Sequence, residues 1–291
     1  MSNLFRFTIF GMILICYTSV LYLSADTILN NVNATKNRII KKSVNSIQKS
    51  FYYNPYVLEI KKKRGELLYY GSYHNVDPEH PQFKDIEDRW NKFKPEIVYS
   101  EGSLWPLERS KKKAIEKYGE QGLLRYLAHR DKVKIKCIEP KQRNEMLYLL
   151  KKYSSTKIKI YYILRQMIIN REIFNKDTDL DYIRFMLKKM AKMKFFSISL
   201  KTVEEFTTMV KVLLPDLKNW ENIDSKYFMN VLNKKNWLAK INVRINKYRN
   251  KYMVKRIIKK LKKGKRVFVV VGKSHVLEQE KILLSKIRKM S

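Results

Sequence analysis

In the first half of the chain, apolar runs short enough to be buried strands alternate with segments whose apolar residues recur at helical spacing. Tyr56 to Ile60 and Glu66 to Tyr70 predict two strands joined by a turn at Lys63, Arg64 and Gly65. The stretch Asn75 to Gln82 reads as a loop because of its prolines, and Ile86, Trp90 and Phe93 then share one face of a helix over Phe83 to Phe93. Ile97, Val98 and Tyr99 predict a short buried strand. A long amphipathic helix follows over Leu107 to Arg130, and Val133 to Ile138 is the next strand. This alternation predicts an α/β fold with a central, mostly parallel sheet flanked by helices.

Between Asn144 and Lys240 the pattern turns helical and glycine-poor, with one proline at Pro215, which predicts a helical insertion or cap. Its aromatic and Met-rich faces, such as Tyr161, Tyr162 and Met167 or Phe185, Met186 and Met190, read as core. A helix over Val243 to Lys263 then precedes Gly264, a strand over Val267 to Val271 that ends at Gly272, and a final helix from Leu277. The resulting division is 1–25 hydrophobic segment, 26–55 polar basic tether, 56–143 first half of the α/β domain, 144–240 insertion and 241–291 second half.

The hydrophobic segment is the uncharged run Phe7 to Leu23, about 17 residues, preceded by Arg6 and followed by Ser24, Ala25 and Asp26. That length is short for a membrane span and long for a signal core, so an uncleaved anchor and a removed signal peptide both fit. The chain is expected to be membrane-anchored or secreted or periplasmic, with the orientation open. Lys36, Arg38, Lys41 and Lys42 after the run count toward a cytoplasmic body. Asn33, Ala34 and Thr35 form a glycosylation sequon that matters only in a eukaryotic secretory pathway.

Charge changes this picture less than its size suggests. Sixty-two Lys and Arg against 27 Asp and Glu give a formal net charge of +35, densest at Lys61 to Arg64, Lys111 to Lys113 and Lys255 to Lys265. Such clusters attract anionic surfaces, but no recognisable nucleic-acid motif accompanies them and no specific nucleic-acid partner is expected. The two cysteines, Cys16 and Cys137, offer no disulfide framework, and Cys137 reads as a packing residue.

The candidate chemistry lies in two Gly-x-x-His stretches, Gly71 to His74 and Gly272 to His275, in a chain with four histidines. Each follows an apolar strand, so each His stands just beyond a strand tip, where open α/β sheets keep their sites. The glycines are expected to let the backbone turn tightly there. Glu101 precedes Gly102 at the tip of the third strand, and Glu139 precedes Pro140 at the tip of the fourth. His74 and His275 can be general bases or metal ligands, and Glu101 can complete a two-His, one-carboxylate set or act as the base. Arg249 can hold an oxyanion or a substrate carboxylate through its planar fork. Glu139 is either a second carboxylate at that edge or a helix cap. His74, Glu101, Arg249 and His275 are expected to converge in one cleft. His80 reads as a solvated loop residue, and His129 as a complement to a helix dipole.

Taken in order, Gly71, His74, Glu101, Arg249, Asn250, Met253, Gly272 and His275 make the chain resemble the superfamily that joins TIKI, TraB/PrgY and GumN proteins, haem-binding ChaN proteins and erythromycin esterases. Within it, Gly119 to Ala128 with Cys137 to Pro140 looks like an uncharacterised bacterial branch. There are departures. Val276, Leu277 and Glu278 follow His275 where TraB and TIKI members favour a Leu and a Gly, and Gly71 stands where erythromycin esterases carry a Glu. The resemblance implies a membrane-associated hydrolase dependent on manganese, zinc or cobalt, with a peptide or small acyl substrate. Its ChaN-like members imply the alternative of a non-catalytic haem or peptide binder. The basic charge leaves a third reading, a surface binder of anionic lipid or nucleic acid.

Overall fold

The computed structural model describes residues 55–290 apart from 63–64, 175–179, 194, 197–199, 218, 231–232 and 234. The hydrophobic segment, the tether and the sequon lie outside the described residues. Among the described residues, no helix is long and apolar enough to cross a membrane.

The chain forms two compact units, one holding Glu139–Met253 and the other running to Ile138 and resuming at Val254. The α/β unit contains β1 (Tyr56–Lys62), β2 (Gly65–Ser72), α1 (Pro81–Phe93), β3 (Ile97–Ser100), α2 (Lys111–Arg130) and β4 (Lys134–Cys137). The second unit contributes α3 (Gln142–Leu150), α4 (Ser155–Phe174), α5 (Leu180–Ala191), α6 (Val203–Leu213) and α7 (Ser225–Met229). Helix α8 (Trp237–Leu261) leads back to the α/β unit, which ends with β5 (Arg266–Gly272) and α9 (Lys273–Arg288).

The sheet has the order β1-β2-β5-β3-β4. Only β1 is antiparallel, and β5 lies in the middle, parallel to β2 on one side and β3 on the other. Its sequence Val267 to Val271 is fully buried, as expected for a central parallel strand covered on both faces. On one face Leu68, Tyr70, Val98, Phe268 and Val270 pack against Phe83, Ile86, Trp90, Leu123, Leu124 and Leu127 from α1 and α2. On the other, the Tyr69 hydroxyl donates to Gln279 Oε1 of α9 at 2.8 Å. The mostly parallel sheet flanked by helices matches the expectation from sequence.

Several element boundaries differ from the sequence reading, α8 among them, which starts at Trp237 rather than Val243. His80, half-buried in the loop, is also the N-cap of α1, its Nδ1 accepting from the Gln82 amide at 3.3 Å. Helix α2 starts at Lys111, capped by Ser110, instead of at Leu107. Helix α9 starts directly after Gly272, which places His275 in its first turn. Neither Gly71 nor Gly272 has a positive φ. Gly71 serves close approach instead: a Cβ there would lie 2.9 Å from Lys273 Cα and 3.1 Å from Tyr56 O, both backbone atoms.

The helical unit has its own core, built on Tyr161, Leu164, Ile183, Phe206, Trp220, Phe228 and Leu238. Tyr161, Tyr162, Met167, Met186 and Met190 are buried in it, as their spacing predicts. Thr202 and Glu205 form a reciprocal capping box at the start of α6.

Because the two nearest atoms facing Gly71 belong to backbone, Gly71→Ala can only be accommodated by moving α9 or β1. It is expected to destabilise the α/β unit by about 1–3 kcal/mol, read as a lower urea midpoint.

Candidate functional site

The parallel ladders place the strand ends in order. Ser72 of β2 pairs with Gly272 of β5, and Ser100 of β3 pairs with Val270. Glu101 leaves β3 with its amide donating to Val270 O at 3.3 Å. Its carboxylate is 1% exposed and turns toward the start of α9. There Oε2 accepts the Gly272 amide at 2.7 Å, and Oε1 lies 3.4 Å from His275 Nε2. Gly272 has no side chain with which to cap α9, so a carboxylate from another strand satisfies one of the helix's first amides. Negative charge at this end of a helix is also favoured by the helix dipole.

His74 stands two residues beyond β2, and its Nδ1 lies 2.5 Å from Glu120 Oε1. Glu120 is buried within α2 and was passed over by the sequence reading. It reaches His74 because α2 is broken at Gly119, whose φ of 56° and ψ of −138° are non-helical. A Cβ at Gly119 would lie 2.4 Å from Asn75 O, so only glycine lets α2 meet the backbone beside His74. The available signal was a glycine inside a helical pattern, followed directly by a carboxylate. The two Gly-x-x-His stretches are also tied to each other, since Lys273 Nζ donates to the Tyr73 hydroxyl at 2.7 Å.

In the helical unit, Arg249 on α8 forms a buried ion pair with Glu139. Its Nε lies 3.7 Å from Glu145 Oε1, and Glu145 Oε2 accepts from the Tyr162 hydroxyl at 3.1 Å. Burial pushes the Glu145 carboxyl up to about 7, against the opposing pull of Arg165 and the Tyr162 hydrogen bond. The structure thus brings Glu101 to His275, His74 to Glu120, and Arg249 to Glu139. His129 is exposed in the last turn of α2. Cys137 is half-buried, its carbonyl accepting from Arg256 at 2.5 Å.

Within the α/β unit, the buried Glu101 and His275 bring a carboxylate oxygen and an imidazole nitrogen together. Carboxylate oxygen and imidazole nitrogen are donors that suit first-row divalent ions.

The TraB/PrgY/gumN family model matches residues 82–286, well over half of the chain, and the chain belongs to this family. The match includes Glu101, Glu120, Arg249 and His275 and begins after the first Gly-x-x-His. No curated protein and no solved structure matches the chain.

The Glu145 carboxyl has a pH consequence. A carboxyl raised from 4.5 to about 7 in the folded state binds its proton more tightly there than in the unfolded chain, so stability falls as pH rises across that window. The loss should total roughly 3 kcal/mol. Denaturation at pH 5 and pH 8 should show Glu145→Gln flattening this dependence and gaining stability at the higher pH.

Proposed function

We propose that the chain is a metal-dependent hydrolase acting on a peptide or another acyl substrate, with Glu101 and His275 holding a divalent ion and His74 as general base. The observation that carries this reading is the buried Glu101–His275 pair. Its 3.4 Å oxygen-to-nitrogen separation is long for a hydrogen bond. It is the spacing of two ligands on a tetrahedral ion, since bonds of about 2.1 Å separate neighbouring ligands by about 3.4 Å. Zinc, manganese and cobalt suit this donor set.

When bound, such an ion supplies Lewis acidity toward an acyl carbonyl. The chain's own groups do the rest. The Gly272 amide fixes the orientation of the Glu101 carboxylate, as outer hydrogen bonds do for metal ligands. His74 takes a proton from the attacking water and returns it to the leaving amine or alcohol. The apolar run from Phe7 to Leu23 supports placing this activity at or beyond a membrane.

Purified protein, stripped with chelator and then titrated with zinc, manganese or cobalt, should take up one ion per chain. Replacing a ligand should cost more than the 10–100-fold typical of outer-shell changes, so Glu101→Gln and His275→Ala should each weaken binding by at least ~100-fold. Equal metal binding by both variants would sink this assignment. A Soret band on haem titration that is lost in His275→Ala would favour a binding protein instead.

A further inference from the structure

We propose that Glu120 is the positioning residue of His74: it accepts the proton on Nδ1, sets the ring's tautomer and orientation, and leaves Nε2 as the atom that takes a proton. The inference rests on the reading of His74 as the base. It goes further in naming the reacting ring atom and the residue that selects it.

Three observations support it. The first is contact geometry. His74 Nδ1 and Glu120 Oε1 are 2.5 Å apart, with side-chain exposures of 13% and 3%. An ionised carboxylate only accepts hydrogen bonds, so in a neutral imidazole the nitrogen facing it carries the proton. Nε2 then keeps its lone pair, as a general base requires.

The second is how Glu120 gets there. It sits between two glycines, Gly119 and Gly122, and neither position has room for a Cβ in the broken helix. A Cβ at Gly119 would lie 2.4 Å from Asn75 O, and one at Gly122 would lie 1.9 Å from Ala114 O. The break therefore folds α2 against both the backbone beside His74 and the helix's own first turn. A helix gains nothing locally from a glycine at φ 56° in its middle. What the break delivers is Glu120 at the imidazole.

The third is the second neighbour of the carboxylate. The Ser72 hydroxyl lies 3.4 Å from the same Oε1 and 3.2 Å from Val271 O. Ser72 is the last residue of β2, so Oε1 is referenced to the sheet as well as to the ring. The imidazole's direction is thereby tied to the strand that carries it.

The test is spectroscopic and needs neither substrate nor metal. In metal-free, full-length protein labelled with ¹⁵N-histidine, at a pH where the imidazoles are neutral, long-range ¹H–¹⁵N spectra report the tautomer of each of the four histidines. His74 is assigned by the signals missing in His74→Gln. The wild type should show His74 protonated on Nδ1. Glu120→Gln keeps the shape but can also donate to the ring, so the share of the Nε2-protonated form should rise from a minor fraction to about half or more. Gly119→Ala, which leaves the groups facing the ring unchanged but displaces Glu120, should cause the same rise. Wild-type His74 protonated on Nε2 would overturn the proposal, and this result needs no variant to fold. An unchanged tautomer in folded Glu120→Gln would overturn it too. Because the readout is metal-free, a failure of zinc, manganese or cobalt to bind would count against the hydrolase reading and leave this result standing.

Discussion

Everything in the α/β unit depends on the parallel pairing of β2 with β5, strands about two hundred residues apart in the chain. Parallel strands cannot be joined by a tight turn, so this ladder forms only after the whole intervening chain has been bridged. What stabilises it is burial on both faces: the residues from Leu67 to Tyr70 and from Val267 to Val271 are almost entirely removed from water. Such strands lack the inside-outside alternation that protects register in half-exposed sheets. Here two hydroxyls do that work, one on each face. Tyr70 donates to Asp85 of α1 at 3.0 Å, and Tyr69 donates to Gln279 of α9 at 2.8 Å. A slip of one residue would exchange the two faces and leave both phenols buried without these partners.

Charge is handled in two ways. The buried acids each have a dedicated neighbour: Gly272 N and His275 for Glu101, His74 for Glu120, Arg249 for Glu139, and Tyr162 for Glu145. Burial without such partners would cost several kcal/mol per group, and Glu145, the least well neutralised, is pushed toward its protonated form instead. The basic excess is spread on the surface. Burial and then the nearby Lys136, Lys263, Lys134 and Lys259 hold Lys260 below the usual lysine range. Lys259 and Lys260 close α8, where cations complement the helix dipole, and Lys134 and Lys136 lie on the edge strand β4, where lysine discourages pairing with another chain. The densest basic cluster thus has structural uses that require no anionic partner.

The parts of this fold legible in the sequence are those with local causes. Apolar runs marked every strand, and the tips carrying His74, Glu101 and His275 followed from where those runs stop. The start of α9 was not legible, because Lys273, Ser274 and His275 carry no apolar signal and the group that caps the helix, Glu101, comes from a strand 171 residues earlier. Glu120 was hidden for the same reason: its partner lies 46 residues away, across a break that only the pair of glycines hinted at. Arg249 stood out by its motif, but its partner Glu139, 110 residues away, reads locally as a helix cap. Residues whose roles depend on contacts across the fold are ambiguous in sequence even when their identity draws attention.

The two Gly-x-x-His stretches show the limit of arguing from a repeated motif. In sequence they are equivalent, and the ladder that pairs Ser72 with Gly272 sets their ends level on neighbouring strands. Yet the imidazoles are presented in opposite senses. His275 lies in the first turn of a helix and turns Nε2 toward Glu101, whereas His74 lies in a loop and turns Nδ1 toward Glu120. The carboxylates differ as well, since Glu101 already accepts a backbone amide at a helix start and Glu120 shares its oxygen with a serine hydroxyl. On the function proposed above, the ring held through Nδ1 presents Nε2 for proton transfer, and the ring with Nε2 beside a carboxylate shares a cation. The same four-residue pattern thus gives two different ring environments on one sheet edge, and the difference is made by the helix start after one and the broken helix beside the other.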